Sequence, residues 1–339
     1  MSRRTALGFV ALACAAAVAT VLCWEHGRRA FWTCAIAALP LVWVTIGFHA
    51  WRRVCPLAAL SRLGALLGRE GPRRPPAALV RWAPLVQLAL MIAALTLRHV
   101  CLNGDRVALA AFLVALGGAA VLVGLRWSGR TWCHVACPVG LVVRIYTEPG
   151  AARGAGTSTS ACAPCTGCVS RCPDLDLQRS HRAGLDDRAR VVAFTAWPGV
   201  VLAFYAFFFL EAGTWDAYFS GAWAYDDAPP TAWRAGLVLT AGGAASAALL
   251  LALEWSARRL GADAALTRHR TLVASGALGF GLFYVFAGQP TLLVAPRWVW
   301  LAAALAVVLA AARLLAARWS AAPSPTRGRG RRLPLVAAR

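Results

Sequence analysis

Stretches such as 5–23, 30–50, 107–125 and 191–210 carry no charged residue over about the length of a membrane-crossing helix. About 20 apolar residues suffice for a helix to cross the hydrocarbon core. Inside that core a lone segment can satisfy its backbone only as a helix. The same pattern, with an occasional polar residue, recurs elsewhere. It predicts eight spans, roughly 5–23, 30–50, 78–97, 107–125, 191–211, 234–253, 271–289 and 297–316. The third is the most interrupted, by Arg81, Pro84 and Gln87. The seventh is glycine-rich (Gly276, Gly279, Gly281), which suits close helix packing in lipid. The chain is 59% hydrophobic with a mean hydropathy of +0.60. The expected fold is all-α: a polytopic bundle of about eight spans with membrane lipid as its surroundings.

The formal charge of +21 does not point to nucleic acid, because the charge is sorted by loop. Segment 51–81 holds Arg52, Arg53, Arg62, Arg69, Arg73, Arg74 and Arg81 against Glu70 alone. Segment 126–190 holds nine arginines, and 254–270 holds Arg258, Arg259, Arg268 and Arg270. Segment 212–233 instead carries Asp216, Asp226 and Asp227. Under the positive-inside rule the arginine-rich loops are cytoplasmic. They alternate correctly for eight spans with both termini inside, in an inner membrane. The first apolar stretch has a signal-like start at Arg3 and Arg4 but no clear cleavage site before Trp24, so a retained anchor is expected.

Domain boundaries follow. Residues 1–125 carry spans one to four with the loop at 51–81, and 126–190 form a large cytoplasmic loop. Residues 191–318 carry spans five to eight, and 319–339 form a basic tail with no packed core of its own.

Seven of the eleven cysteines lie in or beside the arginine-rich loops. Cys162, Cys165, Cys168 and Cys172, followed by Pro173, read C-x2-C-x2-C-x3-C-P, the bacterial ferredoxin run. Cysteines at i, i+3 and i+6 wrap a short loop around three iron corners of a cubane. Gly167 allows close backbone approach, and the turn's amides can donate to the sulfides. Zinc more often takes two pairs separated by a longer loop. Arg171 would favour the reduced, more negative cluster.

A second pattern, Cys133-x3-Cys137-Pro138, follows the fourth span and puts two thiols about one helical turn apart. A damaged copy follows the second span, where Trp51 stands in the place of the first cysteine before Cys55-Pro56. Both copies end an apolar helix and run on to a downstream arginine, Arg62 or Arg144. They read as an internal repeat.

Paired C-x3-C-P motifs after membrane helices, followed by a ferredoxin run, resemble the bacterial polyferredoxin-type membrane iron–sulfur proteins of NapH, NosR and FixG type. The resemblance covers roughly residues 30–180. It implies electron transfer at the cytoplasmic membrane, with redox partner proteins and quinone as candidate exchange partners, and an electron-transfer component rather than a stand-alone catalyst. The chain departs from the family in lacking one C-x3-C-P cysteine and a second ferredoxin run. Seven cysteines cannot supply eight thiolates. One [4Fe-4S] cluster is expected on Cys162, Cys165, Cys168 and Cys172. A second, on Cys55, Cys133 and Cys137, would need an open corner or a fourth ligand such as His134 or His49, unless Cys172 crosses to it. Two other functions fit the same motifs: a cluster that senses oxygen or iron, and a metal-reducing or assembly factor.

Other features are weaker. His26 and His99 fall near the outer face, where a haem pair is not expected. Cys23, Cys34 and Cys101 lie on the same side and read as small packing residues. The aromatic and acidic segment 211–227 suits a membrane interface. Arg81 and Gln87 could face a quinone head group. No P-loop, G-x-S-x-G or H-E-x-x-H pattern occurs.

Overall fold

The computed structural model describes residues 3–24, 27–67, 75–127, 131–150, 177–212, 231–287 and 296–319. Among them every regular element is helical. In chain order these are α1 (Arg3–Cys23), α2 (Gly27–Ala30), α3 (Ala37–Val54), α4 (Pro56–Leu67), α5 (Ala77–Leu97) and α6 (Arg106–Arg126). Then come α7 (Pro138–Thr147), α8 (Leu177–Ala183), α9 (Arg188–Ala212), α10 (Ala232–Arg259), α11 (Ala264–Ala287) and α12 (Arg297–Trp319). Wide π-helical turns occupy Phe31–Ile36, Arg98–Leu102 and Trp132–Ala136.

Each of the eight apolar segments is helical where it is described, and among the described residues four helices are long and apolar enough to cross a membrane. These are Ala77–Leu102, Arg106–Arg126, Arg188–Glu211 and Ala232–Arg259. Burial sorts them. The best window of Arg188–Glu211 is 78% buried, against 22–28% for the other three. Helix α9 is therefore the central post, and α10, α11 and α5 pack around it. The other spanning helices turn leucine and valine outward, as with Val114, Leu122, Leu237 and Leu249. Such a surface matches lipid better than water.

Small residues set the close crossings. A Cβ added at Gly124 of α6 would meet the backbone oxygen of Ser61 in α4, and one at Gly64 would meet that of Val121. The two backbones thus touch at a reciprocal Gly64–Gly124 contact. Gly124→Val is expected to push α4 off α6 at a cost of about 1–3 kcal/mol. Thermal unfolding in detergent would read that cost, and faster alkylation of Cys55 would report the displacement.

Helix α3 is broken on purpose. Gly47 has φ +80, which interrupts the helical ladder without the strain a side chain would add. Pro40 removes another ladder donor. Tyr284 of α11 inserts its hydroxyl here: it accepts from Leu41 N at 2.8 Å and donates to Ala37 O at 2.8 Å. The inserted hydroxyl satisfies the two backbone groups that would otherwise pair with each other.

Candidate metal centre

Both C-P motifs end a helix at an extended cysteine. Cys55 closes α3 with φ −59, ψ 122, and its N–H donates to Trp51 O at 2.9 Å. Cys137 has φ −73, ψ 114, and its N–H donates to Trp132 O at 2.7 Å. The cause is local. A residue before proline is driven out of the α region, while proline itself suits the first turn of the next helix. In the complete motif the last turn before the cysteine is a wider π-turn, in place of the single α-turn expected from C-x3-C. The two copies then exchange partners. Helix α4, after the first motif, packs along α6, which leads to the second. Helix α7, after the second, packs along α3, which leads to the first. The internal repeat is thus a reciprocal embrace of two halves.

That embrace brings Cys55, Cys133 and Cys137 into one buried cluster with Ala58, Ala120 and Trp132. The cysteines are 8%, 4% and 4% exposed. Trp51, which replaces the missing cysteine, packs against the same cluster and stands edge-on to Trp43, with ring centroids 5.8 Å apart. Burial pushes the Cys55 thiol up to about 11, the neighbouring Cys133 adds to this, and Arg52 offsets a small part. Burial raises Cys137 further, with Cys133 and Cys55 contributing. Burial thus favours the protonated thiol at Cys55 and Cys137. A soft metal that displaces their protons would hold them as thiolates.

Gln87 of α5 secures the turn. Its Nε2 donates to Cys133 O at 3.1 Å and to Cys137 O at 2.9 Å. The side chain is fully buried, and these two bonds fix its orientation. The amide therefore serves the cysteine turn. Its Oε1 is a buried acceptor with no hydrogen-bond partner among the described residues. Arg81, the other residue considered for quinone, is exposed and lies over the Trp82 ring at 5.4 Å. Gln87→Leu is expected to cost about 2 kcal/mol, two net hydrogen bonds, in thermal unfolding of the detergent-solubilised protein.

Among the described residues no three His, Cys, Asp or Glu side chains gather closely enough to hold a single metal ion. A cubane engages its thiolates through separate iron corners, so its ligands stand farther apart than those around one ion. The donor set suits such a group: three soft sulfurs, dry surroundings, and buried Arg52 to offset thiolate charge. Of the suggested fourth ligands, His134 Nε2 lies 3.5 Å from Arg52 Nη2, and His49 stands edge-on to Phe48. Neither joins the cysteines in a single-ion group.

The ferredoxin run, Cys162, Cys165, Cys168 and Cys172, lies outside the described residues, but its flanks do not. Glu148, after α7, accepts from Ser180 Oγ of α8 at 2.7 Å and from Arg144 Nε at 3.0 Å. It also pairs with Arg190 of α9 at 3.5 Å. Burial alone would raise the Glu148 carboxyl, but Arg144 and Arg190 outweigh it and hold it at about 2. The sequence reading did not find this network; only the i, i+4 spacing of Arg144 and Glu148 hinted at it. At the opposite end, Cys23 and Cys101 are free thiols. His99 is enclosed by Phe204, Phe207 and Phe208. The Cys34 side chain, His26, the tail and segment 213–230 lie outside the described residues.

No family model, no curated protein and no solved structure matches this chain.

Proposed function

We propose that this chain is a membrane-bound iron–sulfur electron-transfer protein. In this reading it spans the inner membrane eight times, with both termini and the arginine-rich loops in the cytoplasm. A [4Fe-4S] cluster is held by Cys162, Cys165, Cys168 and Cys172. A second, three-thiolate centre is held by Cys55, Cys133 and Cys137 with a non-thiolate or open fourth corner. Such clusters supply one-electron chemistry when bound.

One observation carries the reading beyond the motif. Cysteines 78 and 82 positions apart in sequence, Cys55 with Cys133 and with Cys137, meet in one buried cluster at the junction of two repeated halves. A soluble redox site needs no such junction, whereas a membrane relay needs centres tied to the spans. The residues around the thiols have defined tasks. Gln87 fixes the two carbonyls, Arg52 lowers the cost of thiolate charge, and Trp132 with Ala120 excludes water. Redox partner proteins on either side of the membrane, and quinone within it, are the expected exchange partners. The test is chemical: protein isolated without air should contain iron and acid-labile sulfide and should accept electrons from dithionite.

A further inference from the structure

A directed chain of hydrogen bonds runs through the arginine-rich end of the bundle. Arg190 Nη2 lies 2.9 Å from His181 Nδ1, His181 Nε2 lies 2.9 Å from His269 Nδ1, and His269 Nε2 lies 3.2 Å from Arg318 O. The first member fixes every tautomer. A guanidinium only donates, so His181 Nδ1 must accept. Then His181 Nε2 carries the hydrogen and donates to His269 Nδ1. His269 Nε2 in turn carries a hydrogen and donates to the carbonyl. Both imidazoles are neutral, and both are buried.

The chain cannot conduct protons, since a guanidinium closes one end and a backbone carbonyl the other. It can break. One added proton gives the pair three hydrogens on four nitrogens. If it sits on His181 Nδ1, N–H faces the N–H of Arg190. If it arrives at His269 Nδ1, the His181 hydrogen must move to Nδ1, with the same result. Either way the Arg190–His181 bond is lost and cation meets cation.

The charges facing the pair resist protonation. Arg190 comes from α9, Arg144 from α7, and Arg268 and Arg270 flank His269 on α11. Arg318 of α12 donates to Tyr146 O at 2.9 Å. Asp187 caps α9 by accepting from Arg190 N at 3.3 Å, Glu148 is neutralised by Arg144 and Arg190, and Glu254 of α10 is occupied by Arg258 and Arg268. Arg182 shares α8 with His181. Burial, then Arg190, lowers His181 to about 3, and burial lowers His269.

We propose that His181 and His269 form an acid-opened latch that fixes α8, the short helix following the ferredoxin run, to α9, α11 and α12. The latch is independent of what the cysteines hold. Each histidine's folded affinity for protons is depressed, so its contribution is complete above the ordinary histidine pKa of about 6.5 and falls as pH drops below it. Two histidines that regain ordinary values on opening favour the open form by up to about 100-fold more at pH 5.5 than at pH 7.5. One histidine gives about 10-fold. Glu148 stays ionised throughout this window.

The test is hydrogen exchange of the full-length protein in detergent, read as protection factors for peptides covering 177–187. Wild type should lose more than 10-fold, and up to about 100-fold, protection in α8 between pH 7.5 and pH 5.5, while α10 is unchanged. His269→Gln should lose about 10-fold, and the double variant with His181→Gln should lose none. If the double variant does not fold, wild type against His269→Gln decides. Constant α8 protection in wild type, or an equal loss in wild type and His269→Gln, would overturn the latch.

Discussion

Cys137→Ser is expected to remove about four irons per chain and leave about four behind. The serine hydroxyl is a hard, weakly acidic donor in a dry site, poorly matched to iron held by sulfur. Cys55→Ser and Cys133→Ser should do the same, because the three side chains share one cluster. The remaining iron belongs to the run, so the run's own reduced-cluster signal should survive in these variants and be lost in Cys165→Ser, which keeps that of the second centre. A control separates ligation from packing. Cys137→Ala removes the ligand with little change in volume, so equal iron loss in Ala and Ser variants marks ligation. Full iron retention in both would show that the run alone binds iron and that Cys55, Cys133 and Cys137 only pack.

The second large effect is expected at Glu148. Glu148→Gln leaves Arg144 and Arg190 facing a neutral amide in a site from which water is excluded. Breaking a buried pair from one side typically costs about 3–5 kcal/mol. The pH profile gives an independent check. The carboxyl's folded value, about 2, lies below its ordinary 4.5. Its stabilisation is therefore complete above pH 4.5 and is lost as pH falls from there toward 2. The displacement corresponds to about 3 kcal/mol. Thermal unfolding in detergent at pH 7 should show the variant markedly less stable. Between pH 4.5 and 3 the wild type should weaken more steeply than the variant, and the two curves should converge.

The helices were legible because burial in lipid demands long uncharged runs, and 107–125 or 191–210 admit no other structure. The turns at Cys55-Pro56 and Cys137-Pro138 were legible because proline acts locally. The repeat was visible in matched spacing, and the structure adds how its halves embrace. What escaped was set by tertiary contact. Gln87 looks like a membrane polar residue awaiting a ligand, yet its partners are two carbonyls 46 and 50 positions away. His181 and His269 lie 88 positions apart, with no shared pattern to announce them. The π-turn at Trp132–Ala136 was read as one α-turn because C-x3-C counts residues and not backbone angles.

The central claim, an iron–sulfur relay in the membrane, is tested most directly by one measurement on the intact protein. Iron and acid-labile sulfide are quantified after anaerobic purification, with electron paramagnetic resonance before and after dithionite. The account predicts about eight irons and eight sulfides per chain, with reduced-cluster signals that appear on dithionite addition. Zinc in place of iron, or iron without sulfide and without a dithionite-induced signal, would contradict it.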